Sequence, residues 1–159
     1  MTATISHDRR PSATPTTSVP PARGAIAAMV AGAGLTVLAL AWLVVDLAST
    51  DSLTAHLAEV YAGEVEPPPT SAVAAYLFTV GALGVAGWLV TARAVAQRRR
   101  WARPLATGLF VAGVLLAVAH LTVAEYGRTI LPLEVGLASA VVCVPGLLAV
   151  THLWARREP

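Results

Sequence analysis

The sequence contains no lysine, no asparagine and a single cysteine, Cys143. One cysteine can form neither an internal disulfide nor a CxxC pair, which excludes disulfide scaffolds and four-helix thiol oxidoreductases. All eleven basic residues are arginine, a bias expected from GC-rich codons, so we predict a high-GC bacterial source. Charged residues are scarce at 13%, while apolar residues reach 56%, which is typical of a membrane protein.

Four long apolar stretches dominate the sequence, at about residues 24–47, 71–92, 104–124 and 131–154. Each has about 20 residues or more, and a helix rising ~1.5 Å per residue then crosses a hydrocarbon core of about 30 Å. None has the polar face that a helix of a soluble bundle needs. The sequence therefore predicts an all-α fold, an antiparallel four-helix transmembrane bundle over residues 24–154.

The segments outside this bundle are short. Residues 1–23 are rich in Ser, Thr and Pro and have almost no large apolar side chain, which predicts a disordered cytoplasmic tail. Residues 155–159 are expected to form a second cytoplasmic tail. Arg9 and Arg10 lie too far before the first apolar stretch for a twin-arginine signal. That stretch is also too long for a signal-peptide core, so we expect a retained anchor.

The arginines predict the orientation of the chain. Ten of the eleven flank the stretches on one side, whereas seven of the nine acidic residues fall on the other. By the positive-inside rule, both termini and the 2/3 loop are cytoplasmic in a multi-pass protein of the cell membrane. Anionic lipid headgroups then account for the basic balance, and no nucleic-acid partner is expected. The predicted lipid and topology anchors are Arg98, Arg99, Arg100, Arg103, Trp101 and Trp154.

The loop between the first two stretches, residues 48–70, has helical periodicity of its own. Leu53, Leu57, Val60 and Tyr61 fall on one face, which predicts a short amphipathic helix on the outer surface. Its functional interpretation is a lid or a partner-binding element. The simpler and favoured interpretation is a connector whose apolar face rests on lipid.

Small residues recur at helical spacing within three of the stretches. Such spacing lets backbones approach closely in lipid, where burial alone gives little drive. We expect bundle packing first and self-association second. The positions are Gly24, Ala28, Gly32 and Thr36; Gly81, Gly84 and Gly87; and Gly108, Ala112, Gly113 and Ala117.

Polar residues within the spans gather near the predicted outer end. Ionisable groups in lipid are costly and for that reason often functional. Asp46 and His120 both lie on small-residue stripes that are expected to face other helices. Glu134, Glu125 and Tyr76 fall at a similar depth. These five are the candidate ligand-binding residues.

Two interpretations of this cluster stay open. In the first, Asp46, His120 and Glu134 form an outward-facing pocket that binds a proton, a metal ion of unknown identity or a small ligand. In the second, an interhelical hydrogen bond fixes the bundle and the carboxylates are simply exposed at the membrane interface. The second is favoured, since a carboxylate at a helix end costs far less than one at the midplane.

One segment resembles a known group of proteins. Residues 76–103, YLFTVGALGVAGWLVTARAVAQRRRWAR, contain a glycine-rich helix with a Trp, followed by a basic Trp-Ala-Arg turn. This is similar to small four-helix integral membrane proteins of high-GC Gram-positive bacteria, a group without a defined activity. The resemblance implies the four-helix topology and carries no catalytic or binding residue.

The sequence contains no pattern of a nucleophile with its base, a redox pair or a closed metal site. We therefore expect a non-enzymatic protein without a cofactor. The leading hypothesis is an accessory or interaction subunit of the cell envelope, in contact with the bilayer and with a second copy or another membrane protein. The alternative is a small-molecule or ion carrier that uses the outer cluster.

Overall fold

The computed structural model describes residues 21–155, with side chains from residue 23 onward. The predicted tails therefore lie almost wholly outside the described residues. Within them the chain is mostly helical, and a short hairpin of two antiparallel strands precedes the last helix. The elements are α1 (Pro21–Ala48), α2 (Ser52–Val60), α3 (Thr70–Ala96), α4 (Ala102–Thr122), β1 (Ala124–Glu125), β2 (Arg128–Thr129) and α5 (Leu133–Trp154).

Four of the helices, α1, α3, α4 and α5, are long and apolar enough to span a membrane, with mean hydropathy between 1.9 and 2.2. This confirms the prediction of a mostly helical protein with four long apolar helices. The third of these long helices, α4, ends at Thr122 because Val123 is extended and Ala124 pairs with Thr129 in the hairpin. The second, α3, continues to Ala96.

The end of α3 is set by a left-handed residue. Arg98 has φ +53°, and the next residue, Arg99, donates its backbone N–H to the Ala94 carbonyl at 3.0 Å. This bond from the third residue after Ala96 closes a Schellman-type terminus, in which glycine is the usual left-handed residue. The helix therefore includes Arg93 before the chain turns into the basic loop.

The long helices do not pack equally. α1 lies against both α3 and α5, and α4 lies against α5, whereas α3 and α4 contact each other only sparsely. The α1–α3 contact depends on glycine, because a Cβ on Gly32 would lie 2.7 Å from the Trp88 ring. Not every predicted small-residue position packs: a Cβ on Gly108 would meet no atom within 4 Å.

Two buried apolar clusters lie at opposite ends of the long helices. The first, which we call the basic end, joins the start of α1, the end of α3, the start of α4 and the end of α5, through residues such as Met29, Val95 and Leu153. The second, which we call the acidic end, joins the end of α1, α2 and the starts of α3 and α5, through Leu43 and Leu57 among others.

α2 is the short amphipathic helix that the loop pattern predicts. Leu53, Leu57 and Val60 are buried in the cluster at the acidic end. The favoured interpretation, an apolar face resting on lipid, is therefore wrong, because this face rests on the protein itself. The energetic reason is that α1, α3 and the segment before α5 offer an apolar surface there that α2 covers.

A hairpin that the sequence pattern did not predict also contacts α2. Its turn is Tyr126-Gly127, with φ +50° and +80°, as in the type I′ turns that suit two-residue hairpins. Polar contacts join it to α2: an ion pair between Arg128 and Glu59, and a hydrogen bond from His56 Nε2 to the Thr129 carbonyl at 2.9 Å.

Candidate functional site

A cavity of about 450 Å³ lies between the four long helices. Its wall is mainly apolar and includes Leu40, Leu77, Phe110 and Leu116. It follows from the sparse contact between α3 and α4, which leaves space that the other helix pairs close. Its volume is within the range of about 300–1,000 Å³ that small-molecule sites occupy.

The polar groups on the cavity wall are distributed unevenly. Toward the basic end the wall is formed by side chains such as Met29, Trp88 and Ala149. The hydroxyls of Thr36 and Thr91 also line the cavity farther from the acidic end, but each donates to the carbonyl four residues earlier. Toward the acidic end the wall has carboxylate, imidazole and serine groups, from Asp46, Ser52, His120, Glu134 and Ser139. The cavity is therefore amphipathic along its length.

Asp46 faces this cavity, but its carboxylate is already engaged. It is 6% exposed and accepts hydrogen bonds from Thr50 Oγ1 at 2.5 Å and from Ser52 Oγ at 2.7 Å. It also accepts the backbone N–H groups of Ser52 at 3.2 Å and Leu53 at 3.3 Å. These are the first two N–H groups of α2, which have no partner within that helix.

Asp46 thus caps a helix to which it does not belong. The residue at the N-cap position, Asp51, is left-handed with φ 48° and makes no side-chain capping bond. The carboxylate from α1 takes over that role, and its negative charge suits the positive end of the α2 dipole. The structure therefore assigns to Asp46 the fixing of α2 onto α1.

His120 is buried, at 8% exposed, and both of its ring nitrogens have partners. Ser139 Oγ donates to the Val135 carbonyl at 2.9 Å, so its one proton is used. His120 Nδ1 must then donate to Ser139 Oγ, at 2.9 Å. In the neutral imidazole Nε2 is left as an acceptor, and the Tyr76 hydroxyl donates to it at 3.0 Å.

The structure therefore connects three helices through one histidine, with Tyr76 on α3, His120 on α4 and Ser139 on α5. Tyr76 and His120 were both candidates from the sequence, and the structure brings them into direct contact. Ser139 was missed. Its only sequence signal is a hydroxyl within an apolar span, which is common in membrane helices.

The remaining two candidate residues, Glu134 and Glu125, lie in different parts of the structure. Glu134 is exposed in the first turn of α5 and contributes to the cavity wall. Glu125 lies in the hairpin and accepts a hydrogen bond from the Tyr61 hydroxyl instead. That bond to the carboxylate raises the pKa of Tyr61 above its ordinary value of 10.0. Glu125 thus belongs to the contact between α2 and the hairpin.

The metal-binding interpretation finds no geometric support in residues 21–155. No three His, Cys, Asp or Glu side chains in that range are grouped so that they could hold a metal ion. Each buried side-chain nitrogen or oxygen in the same range already has a hydrogen-bond partner. The arrangement is an apolar cavity whose buried polar groups at the acidic end already have hydrogen-bond partners.

The predicted anchors belong to the basic end. Trp101 and Trp154 are 49% and 39% exposed, and Trp154 Nε1 donates to Thr107 Oγ1 at 3.1 Å. The four predicted arginine anchors, Arg98, Arg99, Arg100 and Arg103, lie in or next to the connection between α3 and α4.

Comparison with known proteins finds no protein-family model, no curated protein and no solved structure that matches this chain.

Proposed function

We propose that this chain is a multi-pass membrane protein whose interior cavity binds a lipophilic small molecule without transforming it. The observation that supports this proposal is the character of the cavity wall. The cavity is apolar over most of its length and has its carboxylate and imidazole groups at one end, so its wall is complementary to an amphiphile. The apolar part of such a molecule would extend toward the basic end, and its polar group would lie among the side chains at the acidic end.

The membrane setting is part of the proposal. The outward faces of the long helices expose large apolar side chains, and Leu38, Leu83 and Leu115 are each about two-thirds exposed. Water would disfavour that surface, whereas lipid tails match it. The two end clusters support an antiparallel bundle, and the arginines at the basic end favour cytoplasmic termini in a cell membrane.

The loose seam between α3 and α4 supplies a route into the cavity. Leu83 on α3 lines the cavity while being 67% exposed, whereas nearer the basic end Leu109 of α4 packs against Gly87 of α3 and closes the seam. Side chains that line a cavity and also face outward mark its lateral opening. In a membrane that opening faces lipid, so a hydrophobic ligand would enter from the bilayer.

Native mass spectrometry of the protein, extracted gently from its own membrane, tests the proposal. We expect a lipophilic adduct at a stoichiometry of about one per chain. In the Gly113→Leu variant the adduct should be depleted, because Gly113 lines the cavity and a side chain there fills it. Gly108→Leu is the matched control, since Gly108 lies on the same helix with no atom near its Cβ position.

Two results would contradict the proposal: no adduct on the wild-type protein, or equal loss in the two leucine variants. The same spectra test the accessory-subunit hypothesis, which stays a prediction. A second protein bound at fixed stoichiometry would support that role, and it is compatible with a bound ligand in the same complex.

A further inference from the structure

A second, smaller cavity lies beside the first and opens on the outside of the helices. Its volume is about 370 Å³, and it lies between the start of α3, the end of α4 and the segment before α5. Apart from one tyrosine and one histidine its wall is apolar, with Val73, Ala119 and Ile130 among the residues that form it. We call it the lateral groove.

The lateral groove meets the cavity between the four long helices, which we call the central cavity, at one residue. Among the described residues that line the two, only His120 is common to both. Its partner Tyr76 lies on the groove side and is 44% exposed. Two apolar spaces are therefore separated by one hydrogen-bonded polar pair.

The hydrogen bonds of this pair define what a ligand can offer it. Tyr76 gives its only proton to His120 Nε2, and His120 gives its Nδ1 proton to Ser139. The Tyr76 oxygen still has accepting capacity on its exposed side. A ligand group at this point must therefore bring a hydrogen-bond donor.

The Tyr76–His120 pair lies at the depth where the headgroup of a lipid joins its acyl chains. α3 has 27 residues and is about 40 Å long, close to the thickness of a bilayer with its headgroups. Tyr76 is the seventh residue of α3, so it lies about 9 Å along the axis from Thr70. His120 is two residues, about 3 Å along the axis, before the end of α4, so the pair lies where the headgroup layer meets the start of the acyl chains. A donor in the headgroup can therefore reach the Tyr76 oxygen while the acyl chains extend below it.

We propose that the central cavity and the lateral groove form one site for a two-chain lipid, which straddles the Tyr76–His120 pair with one chain in each space. This rests on the proposed function and names its ligand class. The headgroup carries a donor and no net negative charge, because the acidic end repels anions. The acidic residues there are Asp46, Asp51, Glu59, Glu64, Glu66, Glu125 and Glu134, against one arginine, Arg128.

The test is competition binding to lipid-stripped protein, followed by native mass spectrometry. The probes are phosphatidylethanolamine and its one-chain lyso form, which share a headgroup. We expect the two-chain lipid to bind at least about tenfold more tightly. Phosphatidylcholine has the same chains and net charge but no N–H donor, so it should bind more weakly, as should anionic phosphatidylglycerol.

Filling the lateral groove alone should remove the preference for the two-chain lipid over its one-chain lyso form. Ala119→Leu and Ala72→Leu narrow the groove from α4 and from α3, and neither residue lines the central cavity. Both should bring two-chain binding down to the level of the lyso lipid while leaving lyso binding unchanged. Ala75→Leu is the control, because Ala75 is exposed on α3 and lines neither space.

The outcomes separate this inference from the proposed function. Equal affinity for the one-chain and two-chain lipids, or an unchanged preference in both groove variants, overturns the two-chain site while the central cavity still binds a ligand. Phosphatidylcholine or phosphatidylglycerol binding as tightly as phosphatidylethanolamine overturns the headgroup assignment. Failure of all four lipids to bind the wild-type protein overturns the two-chain site and counts against the proposed function as well.

Discussion

Replacing Asp46 by asparagine should destabilise the protein, because it weakens the attachment of α2 to α1. The carboxylate accepts four hydrogen bonds, two of them from the first N–H groups of α2. An amide of the same shape keeps one acceptor oxygen, opposes the Leu53 N–H with another donor, and removes the charge. Hydrogen bonds to a charged group contribute about 1.5–3 kcal/mol and neutral ones about 0.5–1.5, so we expect a loss of about 2 kcal/mol.

The assay is the free energy of unfolding in mixed micelles, followed by tryptophan fluorescence during titration with a denaturing detergent. Asp51→Asn is the matched control: Asp51 is exposed, makes no capping bond, and has a left-handed backbone that asparagine tolerates. Its Oδ1 accepts a hydrogen bond from Thr54 Oγ1 at 2.6 Å, which the asparagine oxygen can also accept. It should change stability by less than about 0.5 kcal/mol. A double-mutant cycle with Ser52→Ala should show a coupling of at least about 0.5 kcal/mol. Equal stability of Asp46→Asn and Asp51→Asn would refute the capping role.

Two further predictions follow from other contacts. Because Glu125 raises the pKa of Tyr61, their hydrogen bond stabilises the fold fully below pH 10.0 and is lost as pH rises through the raised folded-state pKa. The alkaline decline in the free energy of unfolding should therefore be smaller in Glu125→Gln than in the wild type. An identical pH profile in the two proteins would contradict this prediction. Gly32→Ala should lower the free energy of unfolding by about 1–3 kcal/mol, because its Cβ would lie 2.7 Å from Trp88. Gly34→Ala should be neutral or stabilising, since nothing lies within 4 Å of its Cβ position. Similar effects of the two variants in the same unfolding titration would show that the α1–α3 contact is not close.

The long helices were predictable because their signal is local. An apolar run of about 20 residues needs no partner to be recognised, and α2 was recognisable from the spacing of Leu53, Leu57 and Val60. What α2 rests on was not recognisable, since that depends on how α1, α3 and α5 approach each other. The hairpin was missed because its first strand continues directly from the apolar residues of α4, and Tyr126-Gly127 is a weak turn signal.

The candidate site was only partly predictable for the same reason. Helical stripes placed Asp46 and His120 on inward faces, and both do line the central cavity. Their different roles depend on partners that are distant in sequence or separated from them by a turn, such as Ser139 and Leu53. The cavity itself arises from a weak contact between α3 and α4, and a helix-by-helix pattern contains no information about the space between helices.

The most direct test of the interior site is quenching of Trp88 by lipids brominated near the end of the acyl chain. Trp88 lines the cavity toward the basic end, and changing Trp42, Trp101 and Trp154 to phenylalanine leaves it as the only tryptophan. If a lipid chain occupies the cavity, quenching should saturate at a low fraction of brominated lipid and should weaken in Gly113→Leu but not in Gly108→Leu. Quenching that rises in proportion to the brominated fraction, equally in both variants, would mean that only surrounding lipid reaches Trp88 and would contradict the account.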